Sequence, residues 1–507
     1  MSSAQPRAVD RPGLGGRGLF LFPPFLSSFR NGGPPYPGCD FMTAEPVPPL
    51  PAAVSTRVPS PLLTAPILPT LVRLSLPNIL AMVASAAVAI AETACAGLLG
   101  TTTLAAIALV FPLVMLQQMM SGGAMGGGVS SAIARAIGAG NGERAAALVL
   151  HAVLIGAGAG LLFTALMLVF GPSLYALLLG GRGPVLDEAV AYSGVVFWGA
   201  VLIWLTNTLG SVIRGTGEMA LPSTVMLLVA GLQIGLGASL ALGLGPFPRL
   251  GIVGFGWGLL AAYSLGTVAM LWFLLSGRAR VRLSFRPETL RREMFGDILR
   301  VGALSCISPL QTVLTVLVVT RLVSHFGTEA LAGYGIGARL EFLVIPVAFA
   351  IGVACVPLVG TAIGAGDVRR ARQAAWTAGG LAAVIVGAIG LAAAVAPDLW
   401  SRLFATDPAV LAAARTYFRW SGPFYAFFGL GLCLYFASQG AGRVLGPVLA
   451  GTLRLLVILG GGWVLAATAA PTWTMFALVG LAMLAYGGAT ALAVIGSDWG
   501  KVRPRQI

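Results

Sequence analysis

Apolar stretches long enough to cross a lipid bilayer follow one another along the chain from about residue 71, separated by short polar breaks. A helix needs roughly 20 mainly apolar residues to span the hydrocarbon core. We predict twelve spans, in two sets of six on either side of a polar segment. The first set is predicted at 71–99, 103–137, 145–170, 189–213, 219–243 and 251–275. The second set is predicted at 298–324, 329–363, 369–395, 411–438, 442–468 and 472–496. The pattern therefore predicts an all-α integral membrane protein.

Three short matches in the same order relate the two sets of spans. The matched pairs are 100–105 with 327–332, 136–145 with 362–371, and 214–218 with 439–443. Their offsets of 227, 226 and 225 residues share one register. Because each half holds an even number of spans, both halves enter and leave on the same side, so an axis along the membrane normal should relate them. We predict two pseudo-symmetric six-helix bundles, residues 71–276 and 298–496, with a substrate path between them.

The composition agrees with a lipid-embedded chain. Of 507 residues, 57% are hydrophobic and 9% are charged, whereas a soluble domain carries about 25% charged residues. The five cysteines form no CxxC pair, and the two histidines have no acidic or cysteine neighbours at ligand spacing. We therefore predict no metal site, no cofactor and no disulfide framework.

The net charge of +14 is distributed as a topology signal. Arginines concentrate in the tails and in alternate loops, and most densely in the linker at 277–297. Loops rich in Lys and Arg stay on the cytoplasmic side. We predict a multi-pass protein of the plasma (inner) membrane with both termini cytoplasmic, and no binding to nucleic acid.

The two ends of the chain differ from the apolar spans. Residues 1–60 are rich in Pro, Gly and Arg without a sustained period, and they carry no signal-peptide pattern. We predict a disordered tail there, with Met1 and Met42 as alternative starts, and a short cytoplasmic tail at 497–507.

Five motifs resemble the MATE (multidrug and toxic compound extrusion) transporters, in order along residues 70–496. They are Leu76-Pro77, Glu92-Thr93-Ala94 with Gly97 and Gly100, the turn at 136–141, Arg214-Gly215-Thr216-Gly217, and residues 243–251. The resemblance is closest to the DinF-like branch. It implies a V-shaped pair of six-helix bundles, not an enzyme, that exports organic cationic or amphipathic compounds against an inward flow of H⁺ or Na⁺. We expect a monomer in the bilayer.

Glu92 is the first candidate site residue, because it is a carboxyl in an otherwise apolar span. A charge at mid-membrane costs roughly 2.5–3.5 kcal/mol, so it needs a partner, a cavity or a proton. The alternative is a side chain that reaches the outer surface. The resemblance implies that the acid at this position binds the coupling cation and that its helix bends at Pro77.

The expected partners of Glu92 depart from the family pattern. The DinF-like branch usually has an asparagine and, four residues later, an aspartate, where this chain has Gln233 and Gly237. Asn207 resembles a polar residue beside the family's site, although an interhelical hydrogen bond explains it equally well. One carboxylate and two amides offer a hard cation few oxygen ligands. This favours H⁺ over Na⁺ as the coupling ion.

The second half lacks the acids that NorM-like members carry. Gln311 or Thr312 stands at one position, and the stretch 424–436 has no charge. Glu341 is the deep acid there, and we favour a structural carboxyl over a coupling one. A candidate substrate cleft for flat organic cations is formed by the aromatic residues Phe424, Tyr425, Phe428 and Tyr435, with lipid contact or packing as the alternative for most of them.

Two other functions stay open on the sequence. A lipid-linked oligosaccharide flippase would need several basic residues in its cavity, whereas most basic residues here fall in loops. An integral membrane transferase would need a cluster of polar catalytic groups near one face of the membrane, and the sequence has none.

Overall fold

A computed structural model describes residues 61–281, 290–468 and 470–500, and within these ranges the chain is helical, without strands. Eleven helices are long and apolar enough to span a membrane, and one bent pair brings the number to twelve. The first six spans are Ile67–Leu99, Thr101–Gly138, Gly142–Leu179, the pair Pro184–Trp198 and Ala200–Gly215, Ala220–Leu242 and Ile252–Leu275. The second six are Arg292–Ser324, Thr328–Gly364, Val368–Val395, Pro408–Ala441, Leu445–Ala467 and Thr472–Gly496. The predicted all-α fold of twelve spans is confirmed, and the spans are numbered first to twelfth below.

The fourth span is broken where the sequence predicts a continuous helix. Its two parts meet at Gly199 with a bend of 45°. A Cβ at Gly199 would overlap Leu260 of the sixth span, so the small residue allows a close approach there. On either side of the break, Thr164 Oγ1 donates to the Phe197 carbonyl at 2.8 Å, and Gln117 Nε2 donates to the Ala200 carbonyl at 3.3 Å. These side chains satisfy backbone groups near the bend, as lipid-embedded backbone requires.

Within the described residues, each half has one large hydrophobic core of its own. One core is built mainly from residues 96–298, and the other mainly from residues 319–499. Leu71 at the start of the first span packs in the second core, whereas Ile298 in the seventh span packs in the first. The seventh span also begins at Arg292, inside the segment predicted as a linker. Each half therefore receives the start of the other half's first helix.

The second and eighth spans cross closely near one end. A Cβ at Gly138 would overlap the Thr361 carbonyl oxygen, and a Cβ at Gly364 would overlap the Arg135 carbonyl oxygen. Both Gly138 and Gly364, and Arg135 and Thr361, are 226 residues apart, which is the sequence offset of this repeat. The contact is thus reciprocal, as a two-fold relation between the halves requires.

Parts of the predicted termini and linker lie outside the described residues: 1–60, 282–289 and 501–507. The beginning of the predicted C-terminal tail belongs to the fold, however. Trp499 is buried in the second core, and the Ser497 carbonyl accepts a hydrogen bond from Arg372 Nη2 at 2.8 Å.

Candidate functional site in the two bundles

Glu92 and Gln233 meet between the first and fifth spans. Gln233 Nε2 donates a hydrogen bond to Glu92 Oε1 at 2.8 Å. Gln233 is buried and Glu92 is partly buried. Glu92 precedes the end of its helix at Leu99 by seven residues, about 10 Å at 1.5 Å per residue, so it lies well below the membrane surface. The structure thus joins two of the three residues predicted for the coupling site.

Asn207 lies in a different part of the first half. Its Nδ2 donates to Gln118 Oε1 at 3.0 Å and to Ser121 Oγ at 2.8 Å, and it makes no hydrogen bond to Glu92. Gln118 Nε2 in turn donates to the Tyr263 hydroxyl. Asn207 therefore belongs to a separate hydrogen-bonded group with Gln118, Ser121 and Tyr263, and it does not bond to Glu92.

The sequence pattern does not single out Gln118 and Tyr263, which the structure joins by a hydrogen bond. Gln118 immediately precedes a π-helical stretch, Met119–Met125, in the second span, and such stretches occur frequently at functional sites. The signal in the sequence was the adjacent pair Gln117-Gln118 inside an apolar span, because uncharged polar groups in lipid must find partners on neighbouring helices.

The first span runs through Pro77 as one continuous helix from Ile67 to Leu99. Next to the proline, the buried side chain of Asn78 accepts a hydrogen bond from Ser223 Oγ at 3.1 Å and contacts Met219 Sδ at 3.5 Å. The span is therefore held to the fifth span beside the residue at which the resemblance implies a bend. That bend stays a prediction.

Gly237, where the family has a second acid, serves helix packing. A Cβ at Gly258 of the sixth span would lie 2.5 Å from the Gly237 Cα, so the two backbones almost touch. The fifth and sixth spans thus pack closely at the position from which a second carboxylate would extend.

Glu341 in the eighth span is held by two hydroxyls. Tyr417 and Tyr425 both donate to Glu341 Oε1, the second over 3.4 Å. Arg339 does not pair with Glu341, and its guanidinium lies over the Phe404 ring at 4.8 Å. The carboxyl is therefore paired with the neighbouring tenth span.

The four aromatic residues predicted to line a cleft face different surroundings. Tyr425 contacts Glu341, and Phe428 packs against Tyr486 with ring centroids 6.0 Å apart. Phe424 lies against Phe427, and the Tyr435 hydroxyl donates to the Ser305 carbonyl at 3.2 Å. The structure does not bring the four rings together into one cleft.

Arg454 is a basic residue inside the eleventh span, and it is not among the site residues predicted from the sequence. It lies nine residues after Leu445 in the eleventh span, about 14 Å along the helix. Its guanidinium carbon lies 5.2 Å from the Phe428 ring centroid and 6.0 Å from that of Tyr486. The signal was a single arginine in a long apolar segment, and it qualifies the expectation that basic residues fall in loops.

Comparisons with known proteins agree with this architecture. The MatE family model matches residues 77–238 and 305–464, one range in each half. A FAD transporter of Shewanella oneidensis is 30% identical over 361 residues, which cover 69% of this chain and 77% of that protein. A probable multidrug resistance protein NorM of Deinococcus radiodurans is 29% identical over 435 residues, which cover 82% and 92%.

The fold is also found in solved structures. One is described as the outward-facing conformation of a multidrug resistance MATE family transporter of the MOP superfamily. It matches with a TM-score of 0.78 at 24% identity, covering 86% of this chain and 97% of its own. Since the family model covers more than half of the chain and matches both halves, the chain belongs to the MATE family of multidrug efflux transporters.

Proposed function

We propose that this transporter exports small organic compounds across the plasma membrane by antiport with protons, with Glu92 as the coupling carboxyl. It acts as a monomer with both termini in the cytoplasm, in the manner of the DinF-like branch. The observation that carries the proposal is the contact of Glu92 with a single amide, Gln233, inside an apolar helix bundle. A carboxyl placed this way can load and release a proton as the surrounding helices move.

The choice of H⁺ over Na⁺ follows from the ligands around Glu92. Gln233 presents its N–H to the carboxylate, so its amide oxygen points elsewhere. Asn207 is engaged by Gln118 and Ser121. A sodium ion prefers several oxygen ligands, whereas a proton needs only the carboxylate itself. Proton coupling is therefore the function that this arrangement supports best.

The test is transport by the purified protein in liposomes, with a pH gradient or a Na⁺ gradient imposed separately. Glu92→Gln keeps the size and can keep the contact with Gln233, but it cannot titrate. We expect transport driven by the pH gradient to fall at least about tenfold, the minimum expected when a step essential to coupling is lost, while equilibrium binding of substrate survives.

Glu341→Gln serves as the matched control, because it removes the other deep carboxyl. This variant should lose thermal stability before it loses coupling, since two tyrosine hydroxyls would lose their charged acceptor. Transport by Glu92→Gln at the parental rate under a pH gradient would place the coupling site elsewhere. Transport of the parent driven only by the Na⁺ gradient would contradict the choice of ion.

A second candidate function concerns the substrate. The Shewanella oneidensis relative is named a FAD transporter, and FAD carries negative charge, unlike the cations expected from the sequence. The observation that favours an anionic substrate here is Arg454, a basic side chain among aromatic rings in the second half. Export of an anionic aromatic compound is therefore the alternative to export of organic cations.

A further inference from the structure

Arg454 projects from the buried face of the eleventh span. It is one helical turn from Ala450 and one turn from Ile458, and both are buried. Residues four apart share a face of a helix. Leu449, Leu453 and Leu456 are exposed and form the opposite face, which is the face toward lipid. The guanidinium therefore points into the second bundle and does not extend along the membrane surface.

The guanidinium has no polar partner among the described residues. Its Nε is buried without a hydrogen-bond acceptor, and its two close neighbours are the rings of Phe428 and Tyr486. The side chain is partly exposed, but the Nε donor is shielded from water, and a shielded donor without an acceptor is destabilising. Cation–π contacts offset part of this cost, and a ring offers no acceptor in the plane of the N–H bonds. The in-plane donors are thus left for another group.

The carboxylate that could pair with Arg454 is already engaged. No ion pair joins Glu341 to Arg454 within the part of the chain that the structure describes. Tyr417 and Tyr425 instead donate to Glu341. Two hydroxyls therefore satisfy the acid and leave the arginine open.

The geometry points to a binding site for an anionic group at Arg454, a phosphate or carboxylate carried by a compound with an aromatic ring. The planar guanidinium matches such an anion with two parallel N–H···O bonds. Phe428 and Tyr486 provide ring surfaces beside the charge. This inference builds on the proposed export function, since it names the chemical class of the exported compound, and it turns the expected cation preference into a preference for anions.

The test compares two flavins that share a ring system and differ by one phosphate. Riboflavin is neutral, and flavin mononucleotide carries the phosphate. Equilibrium binding of each to the full chain in phosphatidylcholine nanodiscs is measured by flavin fluorescence, without any gradient. The parent should bind the mononucleotide more tightly. Arg454→Gln should weaken mononucleotide binding about 10- to 100-fold, as expected when hydrogen bonds to a charged group are lost. Riboflavin binding should change less than about twofold, because the ring contacts remain.

Arg454→Lys is the matched variant, because it keeps the charge without the planar fork. Its affinity for the mononucleotide should lie between those of the parent and Arg454→Gln. Ligand-free Arg454→Gln should melt no lower than the parent, since the charge it removes has no polar partner, whereas a purely structural arginine would lower the melting temperature. If Arg454→Gln does not fold, the test rests on Arg454→Lys: its affinity for the mononucleotide relative to riboflavin should be lower than that of the parent, and an unchanged ratio overturns the inference.

A second arm adds phosphatidylglycerol to the nanodiscs. Competition with the mononucleotide in the parent, and none in Arg454→Gln, would show that a lipid headgroup can occupy the same anion site. A parent that does not prefer the mononucleotide, or a preference that Arg454→Gln leaves unchanged, overturns the inference. Because the binding assay uses no gradient, a failure of proton coupling does not change its outcome, so a failure of the coupling proposal is distinguishable from a failure of this one.

Discussion

At the scale of single residues, the two deep carboxyls differ in what surrounds them. Glu92 has one amide donor, Gln233, and Glu341 has two phenolic donors from the tenth span. Two hydroxyls that donate to one oxygen hold a carboxylate in place, and removing the carboxylate leaves both hydroxyls without an acceptor. Glu92 has fewer such contacts, which agrees with the coupling role that we propose for it and with an anchoring role for Glu341.

The glycine at position 237 gives a prediction about ion choice. It lies one turn from Gln233, so both residues share a helix face. A Cβ there would meet the Phe255 Cδ1 at 3.6 Å, which is ordinary van der Waals contact. The first side-chain carbon is therefore accommodated at Gly237, even though the fifth and sixth spans pack closely there. Gly237→Asp should supply the second carboxylate and raise the affinity for Na⁺, because hard cations prefer several oxygen ligands. We expect a Na⁺ gradient to accelerate transport about twofold or more in liposomes, a modest effect because a single new ligand completes only part of the coordination shell.

Gly237→Asn is the control, since it has the same size without the charge. This variant should fold, and a Na⁺ gradient should not change its transport rate. Equal stimulation of both variants would mean that the new side chain acts through packing and not as a ligand. If Gly237→Asp is folded and binds substrate but a Na⁺ gradient does not accelerate its transport, the result contradicts the argument that the lack of oxygen ligands near Glu92 favours H⁺ over Na⁺.

The sequence identified Glu92 and Gln233 but not the residues around them. A single acidic residue in an apolar span can be recognised from the sequence alone, and because a charge in lipid is energetically unfavourable, such a residue is a candidate for a functional role. Gln118 and Tyr263 become informative only when the second and sixth spans are brought together. Arg454 was visible as a charge in a span, but its direction depends on which face of that helix is buried. Contacts between distant spans are therefore the part that the pattern leaves open.

At the scale of elements, the spans themselves follow from the pattern, and their irregularities do not. The apolar runs locate all twelve, since the bilayer thickness sets their length. The break at Gly199 cannot be recognised in the pattern, because the glycine continues an apolar run. A glycine is required there because any larger side chain would overlap Leu260 of the sixth span. The early start of the seventh span at Arg292 was hidden by its polar residues, which belong to the exposed side of an amphipathic turn.

Pro77 is the residue at which the family resemblance implies a bend of the first span. Its ring removes the N–H that would bond to the Arg73 carbonyl and weakens the helix at that turn. Pro77→Ala restores the bond, and we expect it to stabilise the protein by about 1 kcal/mol or more, since an interior proline costs about 3 kcal/mol relative to alanine. If the first span must bend there during transport, the same variant should slow export. Thermal melting and liposome transport measure the two effects.

Pro112→Ala provides a control in the second span, where another proline lies inside a helix on an exposed face. It should gain similar stability without slowing transport, because no coupling residue depends on that turn. A Pro77→Ala protein that is more stable and exports at the parental rate would show that the first span need not bend at this residue.

At the scale of the whole molecule, the two halves are closed against each other at one end. The second and eighth spans cross there through Gly138 and Gly364, and Arg135 Nη1 reaches across to the Gly440 carbonyl at 3.3 Å. A cavity of about 10 Å³ lies between the halves beside the Gly122–Gly127 segment. Such a volume holds at most one water. In the orientation that we propose from the arginine distribution, the closed end faces the cytoplasm, and export would require this crossing to open.

The last prediction tests that opening with a cross-link between the halves. A Cβ at Gly360 would lie 2.8 Å from the Ala134 Cβ, so a small shift brings a cysteine pair to the roughly 3.8 Å that a disulfide needs. Ala134→Cys with Gly360→Cys, in a background without the native cysteines, should stop transport on oxidation and recover it on reduction. Gly387→Cys with Ala426→Cys is the control, because these residues show the same 2.8 Å separation but both belong to the second half. Oxidising that pair should leave transport intact, since a cross-link within one half does not oppose movement between halves. Mass spectrometry verifies that the first pair has formed its disulfide. If the oxidised protein then exports as fast as the reduced protein, the two halves do not separate at this crossing during the transport cycle.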